Sequence, residues 1–160
     1  MEDELSRFEQ YTDEVEPVLE DRAVLMENIN EGESHFNELL QLIQSPSGVA
    51  YATTESSENA ERFFSQMTER CDVMLKQWGD IRRPRKLVEF HSLVQWSLQS
   101  NRRSLSDSAK LFQLAKDSGN MDADLPSRLS ESMLEAERLF ERAINEFERI
   151  QKALEETANG

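Results

Sequence analysis

The sequence predicts an all-α fold, an antiparallel four-helix bundle of up-down-up-down connectivity. Three observations point there. Only 5 Gly and 4 Pro interrupt 160 residues, too few for the tight turns of an all-β fold. Apolar residues recur in alternating steps of three and four, the helical period. The uninterrupted segments are also long and of similar length, as antiparallel neighbours require. Leu, Ile, Val and Phe number 18, 5, 7 and 8, about 24% of the chain and above the roughly 20% below which chains usually stay unfolded. A single domain over 1–160 is expected.

The first helix is expected over about 3–44, ending at Pro46 and Gly48. Its seam is Val15, Val18, Arg22, Leu25, Ile29, Gly32, Phe36, Leu39 and Ile43, with Arg22 and Gly32 as misfits. Pro17 predicts a kink or a fresh start there, because proline removes one backbone hydrogen bond and disfavours helical geometry at Glu16. Residues 48–54 read as a loop. The second helix is expected over 55–78, with Thr54 as N-cap and Gly79 as a left-handed exit. Its seam is Ala60, Phe64, Met67, Cys71, Met74 and Trp78.

The third helix is expected over 84–118, opening at Pro84. Its seam carries polar interruptions: Leu87, His91, Val94, Leu98, Asn101, Leu105, Ser108, Phe112 and Ala115. The fourth is expected over 124–157, with Asp124 as cap and Pro126 in the first turn. Leu129, Met133, Ala136, Phe140, Ala143, Phe147, Ile150 and Leu154 form its seam without an exception. Flanking apolar residues such as Leu19, Met26, Phe63, Phe90 and Ile144 widen these seams to the faces of a globular bundle rather than a lone coiled coil.

The formal net charge of −14 disfavours nucleic acid as a partner, since phosphate binding is driven by Lys and Arg. The acidity is uneven. Residues 1–80 hold 19 acids and 5 bases, whereas 81–116 hold 2 acids and 8 bases. The densest basic stretch is Arg82, Arg83, Arg85 and Lys86 around Pro84, with Arg102 and Arg103 farther along the same helix. Cations at a helix start oppose the macrodipole, so something should compensate them. Two readings follow: compensation by acids at the same end of the bundle (Glu2, Asp3, Glu4, Glu9, Asp13, Glu14, Glu16, Glu155, Glu156), or an anion or partner contact formed by these six cations.

Catalytic chemistry is not expected. Cys71 lies on an apolar seam, where a thiol behaves as a small hydrophobe. His91 reads as a hydrogen-bonded core histidine. His35, between Glu31 and Glu38, lacks the Glu-x-x-His pairs of a di-iron bundle. The stretch from Asn120 to Glu131 matches a calcium loop only in part, because Leu125 stands where glycine is required. Neither metal nor cofactor is expected.

Pro84, His91 seven residues on, the turn Asp117-Ser118-Gly119-Asn120 and the run Ala-Glu-Arg-Leu-Phe at 136–140 together resemble helical bundles of uncharacterised exported bacterial proteins, often lipoproteins. That resemblance covers under half the chain, implies a structural His91 and carries over no catalytic residue. This sequence has neither a signal region after Met1 nor a lipidation cysteine near it. It therefore reads as cytoplasmic as written, and as extracytoplasmic if a leader has been lost. No apolar run reaches the roughly 20 residues of a membrane span. The expected role is a non-enzymatic interaction or scaffold module meeting another protein, or a second copy of itself, through its acidic first helix or the basic start of the third. The alternative is a ligand-sensing bundle holding a small anion at the basic hinge or an apolar ligand between helices.

Overall fold

A computed structural model describes the backbone of residues 4–44, 54–118 and 125–159, and the side chains of 4–32, 58–113 and 131–157. Four helices, α1 (Glu4–Gln44), α2 (Thr54–Asp80), α3 (Val88–Ser118) and α4 (Leu125–Asn159), form an up-down-up-down bundle. Contacts at one end establish the directions. Glu4 and Tyr11 near the start of α1 meet Lys86 and His91 around the start of α3. Trp78 at the end of α2 stacks on His91, and Phe147 in the last third of α4 meets Phe8 and Phe90. At the opposite end Phe64 of α2 stacks on Phe112 of α3 with ring centroids 5.7 Å apart.

The seams bury as their period requires. All six seam positions of α2 are buried, as are Leu87, His91, Val94, Leu98, Asn101, Leu105, Ser108 and Phe112. In α4 the result alternates as far as Ile150: Ala136, Ala143 and Ile150 are buried, whereas Met133, Phe140 and Phe147 are only half-buried, and Leu154 beyond them is buried again. The reason is the spacing of the helices. α3 packs closely along both α2 and α4, while α1 stands off from its two neighbours. Close approach to α3 is possible because Ser97, Ser100, Ser104, Ser108, Cys71, Ala60, Ala136 and Ala143 are small and buried. Ser97 Oγ even donates to the Ala136 carbonyl oxygen at 2.6 Å. α1 instead offers Phe8, Tyr11, Val15, Arg22 and Leu25, side chains that hold its axis away.

Two local expectations are corrected, and one alternative is removed. Of the kink or fresh start expected at Pro17, the fresh start is excluded, since α1 is one continuous helix. Pro17 is exposed, and so is Asp13, whose carbonyl loses its amide partner; water can reach that oxygen, which makes the proline tolerable. α2 begins at Thr54 itself and continues through Gly79 to Asp80. Gly79 is therefore helical rather than a left-handed exit, and the helix closes with Ile81 N donating to Trp78 O at 3.2 Å. The third α-helix does not open at Pro84. Pro84 is extended (φ −64°, ψ 153°) and precedes a 3-10 turn, Arg85–Leu87, in which Leu87 N donates to Pro84 O at 3.0 Å. The four cations thus sit on the connection and the turn, outside the α-helix, which reduces their conflict with its dipole.

Glu2, Asp3, the loop at 48–54, the Asp124 cap and the His35 and calcium-loop side chains up to residue 130 lie outside the described side chains.

Both seam misfits of α1 have a structural reason. A Cβ placed on Gly32 would lie 2.4 Å from Cζ of Phe63, so the glycine is the hollow into which that ring fits. Arg22 lays its guanidinium over the Phe140 ring, 3.5 Å from the centroid, filling the gap between α1 and α4.

Candidate functional site

The connection between α2 and α3 crosses the end of the bundle against the first turns of α1. Ile81 is half-buried there and packs on the core, which anchors the segment and turns its neighbours outward. The extended Pro84 then redirects the chain into the 3-10 turn. Between this connection and α1 lies an open cleft of about 430 Å³ lined by Arg7, Gln10, Tyr11, Glu14, Arg82, Arg83, Pro84 and Arg85. Among the described residues four arginines line it with one carboxylate, Glu14.

The compensating acids are engaged only in part. Lys86 Nζ donates to Glu4 at 2.7 Å, an exposed pair of the kind worth roughly 0 to 1 kcal/mol. Among the described residues Arg82, Arg83 and Arg85 make no ion pair. Among the described residues compensation accounts for Lys86, while Arg82, Arg83 and Arg85 line the cleft outside any ion pair.

The six basic residues singled out by sequence do not form one site. Arg82, Arg83 and Arg85 line the cleft, whereas Lys86 is drawn to Glu4 and, together with Arg85, lines a second groove with Glu89, Glu146 and Arg149. Arg102 pairs with Asp72 across α2 and α3, and this pair pushes the Arg102 pKa upward, first through the hydrogen bond and then through charge. Arg103 is exposed and lines none of these cavities. Sequence reasoning named Glu14 only as a compensating acid and did not place Arg7, Gln10 or Tyr11 in the site. Arg7, Gln10 and Glu14 fall on one helical face, a spacing that could have flagged them once α1 and α3 were taken as parallel.

Behind the cleft is a buried aromatic cluster. Tyr11 is 2% exposed and its hydroxyl lies 2.7 Å from His91 Nδ1. Trp78 Nε1 donates to the His91 carbonyl oxygen at 2.9 Å, and its indole stacks on the imidazole at 4.6 Å. Phe90 meets Tyr11 and Trp78 edge-on. Burial pushes the His91 pKa down to about 4, assisted by the charge of Arg83 and opposed by the Trp78 backbone. The ring is accordingly neutral. Tyrosine is the natural donor here, so the proton is assigned to His91 Nε2, which meets no partner in hydrogen-bonding geometry. The Tyr11 pKa is raised by burial, against the lowering effect of Arg83. Arg83 thus acts on both members of the pair and connects the cleft to the interior.

Elsewhere the polar interior is structural. Burial pushes the Cys71 thiol up to about 12, which removes the thiolate a nucleophile needs. Burial also lowers the Arg22 pKa to about 10, with Glu137 and then Cys71 opposing. Among the described residues no three His, Cys, Asp or Glu side chains are placed to hold a metal ion. Likewise, no helix among them is long and apolar enough to cross a membrane.

Comparison with protein families, curated proteins and solved structures finds no match to this chain.

Proposed function

We propose that this chain is a non-enzymatic helical interaction module that docks an acidic segment of a partner protein at the arginine-lined hinge between α2 and α3. The observation that carries the reading is the cleft itself: among the described residues Arg82, Arg83 and Arg85 line it together with Arg7 and one carboxylate, Glu14, in a chain whose net charge is −14. A cationic cleft on an anionic body selects strongly for position. An acidic partner is repelled from most of the surface and attracted at one place, which favours a defined docking register. Arginine suits the task because its fork of donors meets carboxylates in a bidentate geometry. The aromatic cluster behind the cleft supplies a rigid backing, with Tyr11 as the wall shared by both.

Poly-L-glutamate tests this reading as a simple acidic polypeptide. Saturable binding is expected by calorimetry at low salt, weakening as salt is added, and lost in the triple variant Arg82→Gln/Arg83→Gln/Arg85→Gln. Binding that survives in this variant, or is lost instead in Arg102→Gln/Arg103→Gln, overturns the assignment of the hinge.

A further inference from the structure

We propose that the hinge cleft recognises a phosphoryl dianion carried by the acidic partner segment, so that phosphorylation of the partner controls docking; this rests on the interaction-module reading above. The charge and the donor count both point beyond a single carboxylate. One carboxylate has two oxygens and one charge, which a single guanidinium fork can satisfy. A phosphoryl group carries roughly −1.5 to −2 at pH 7 and three acceptor oxygens. It can engage several guanidinium groups at once.

Here Arg82 and Arg83 are adjacent on the connection, Arg85 follows across Pro84, and Arg7 arrives from α1, all lining one cavity of about 430 Å³. That space is ample for a phosphoryl group together with the side chain and backbone bearing it. Gln10 lines the same cavity and adds an amide donor. Glu14, the carboxylate in the lining among the described residues, disfavours indiscriminate anion binding and leaves room for a backbone or hydroxyl donor of the ligand.

The full chain is titrated with an acidic peptide containing one phosphoserine, the same peptide with Glu in its place, and inorganic phosphate, at matched ionic strength. The phosphopeptide is expected to bind at least about tenfold more tightly than either of the others. Its advantage over the Glu peptide is expected to shrink at pH 5, as the phosphoryl group takes up its second proton near pH 6. The side-chain Nε signals of Arg82, Arg83 and Arg85 should shift with saturation in NMR spectra. The triple Gln variant, whose replaced side chains are exposed, should keep its thermal midpoint and lose the preference. Equal affinity for the two peptides overturns phosphoryl recognition while leaving acidic docking standing. Inorganic phosphate binding as tightly as the phosphopeptide overturns the partner-borne source. Binding of none of the three removes both this inference and the function proposed above.

Discussion

The Phe63 ring occupies the space where a side chain at position 32 would begin: a Cβ on Gly32 would sit 2.4 Å from Phe63 Cζ. Gly32→Ala therefore sets two effects against each other. Alanine in a helix interior is worth up to about 1 kcal/mol over glycine, but the ring must be displaced, at about 1 to 3 kcal/mol for overpacking. Net destabilisation is expected in urea melts. In a Phe63→Ala background the clash is absent, so Gly32→Ala should there stabilise. A cycle showing no coupling between the two positions would contradict the fit of ring into hollow.

His91 makes stability fall on the acid side. Its folded pKa of about 4 lies below the unfolded value near 6.5, so the unfolded state binds the proton first. The contribution is complete above pH 6.5 and is lost as the pH falls through 4. Between pH 7 and pH 5 the loss is about 2 kcal/mol. Comparing wild type with His91→Leu at the two pH values isolates it, because the variant should lack this acid limb. A His91 imidazole titrating near pH 6.5 in assigned NMR spectra of the folded chain would refute the assignment.

Tyr11→Phe removes the hydroxyl and leaves His91 Nδ1 buried without a donor. A loss of about 1 to 3 kcal/mol is expected in denaturant melts. The same change in a His91→Leu background should cost much less, since no ring nitrogen is then stranded. Equal costs in both backgrounds would mean that the 2.7 Å contact contributes nothing specific.

Gly79 is helical, exposed, and has no atom within 4 Å of where a Cβ would stand. Gly79→Ala should stabilise the fold by about 0.5 to 1 kcal/mol, through helix propensity and a less flexible unfolded chain. A drop in thermal midpoint would indicate the left-handed helix exit that sequence reasoning expected.

The architecture was legible because burial follows period. The six seam positions of α2, read by counting alone, are all buried. Less legible were events that depend on side-chain volume between helices. The alternation along α4, with Ala136, Ala143 and Ile150 buried but Met133, Phe140 and Phe147 half-buried, reflects how far α1 stands off, and no one-dimensional pattern encodes that distance. Gly79 misled because glycine after an apolar seam looks like a cap, yet hydrogen bonding carried the helix one residue farther. Of the site, the contiguous Arg82, Arg83 and Arg85 were visible as a run. Arg7 and Tyr11 were not, because only folding brings α1 beside the connection. Arg102 and Arg103 were grouped with them by charge, whereas their position along α3 separates them in space.

The loose seating of α1 implies a hierarchy of opening. Backbone amides of α2, α3 and α4 around Cys71, Leu98 and Ala143 should exchange their hydrogens only on global unfolding. Those of α1 can open by a smaller excursion, in which Tyr11 leaves His91 and Arg22 leaves Phe140. Because α1 supplies Arg7 and one wall of the hinge cleft, a ligand gripping both sides would fasten the least protected helix to the rest. Occupancy of the hinge should then register as slower hydrogen exchange along α1.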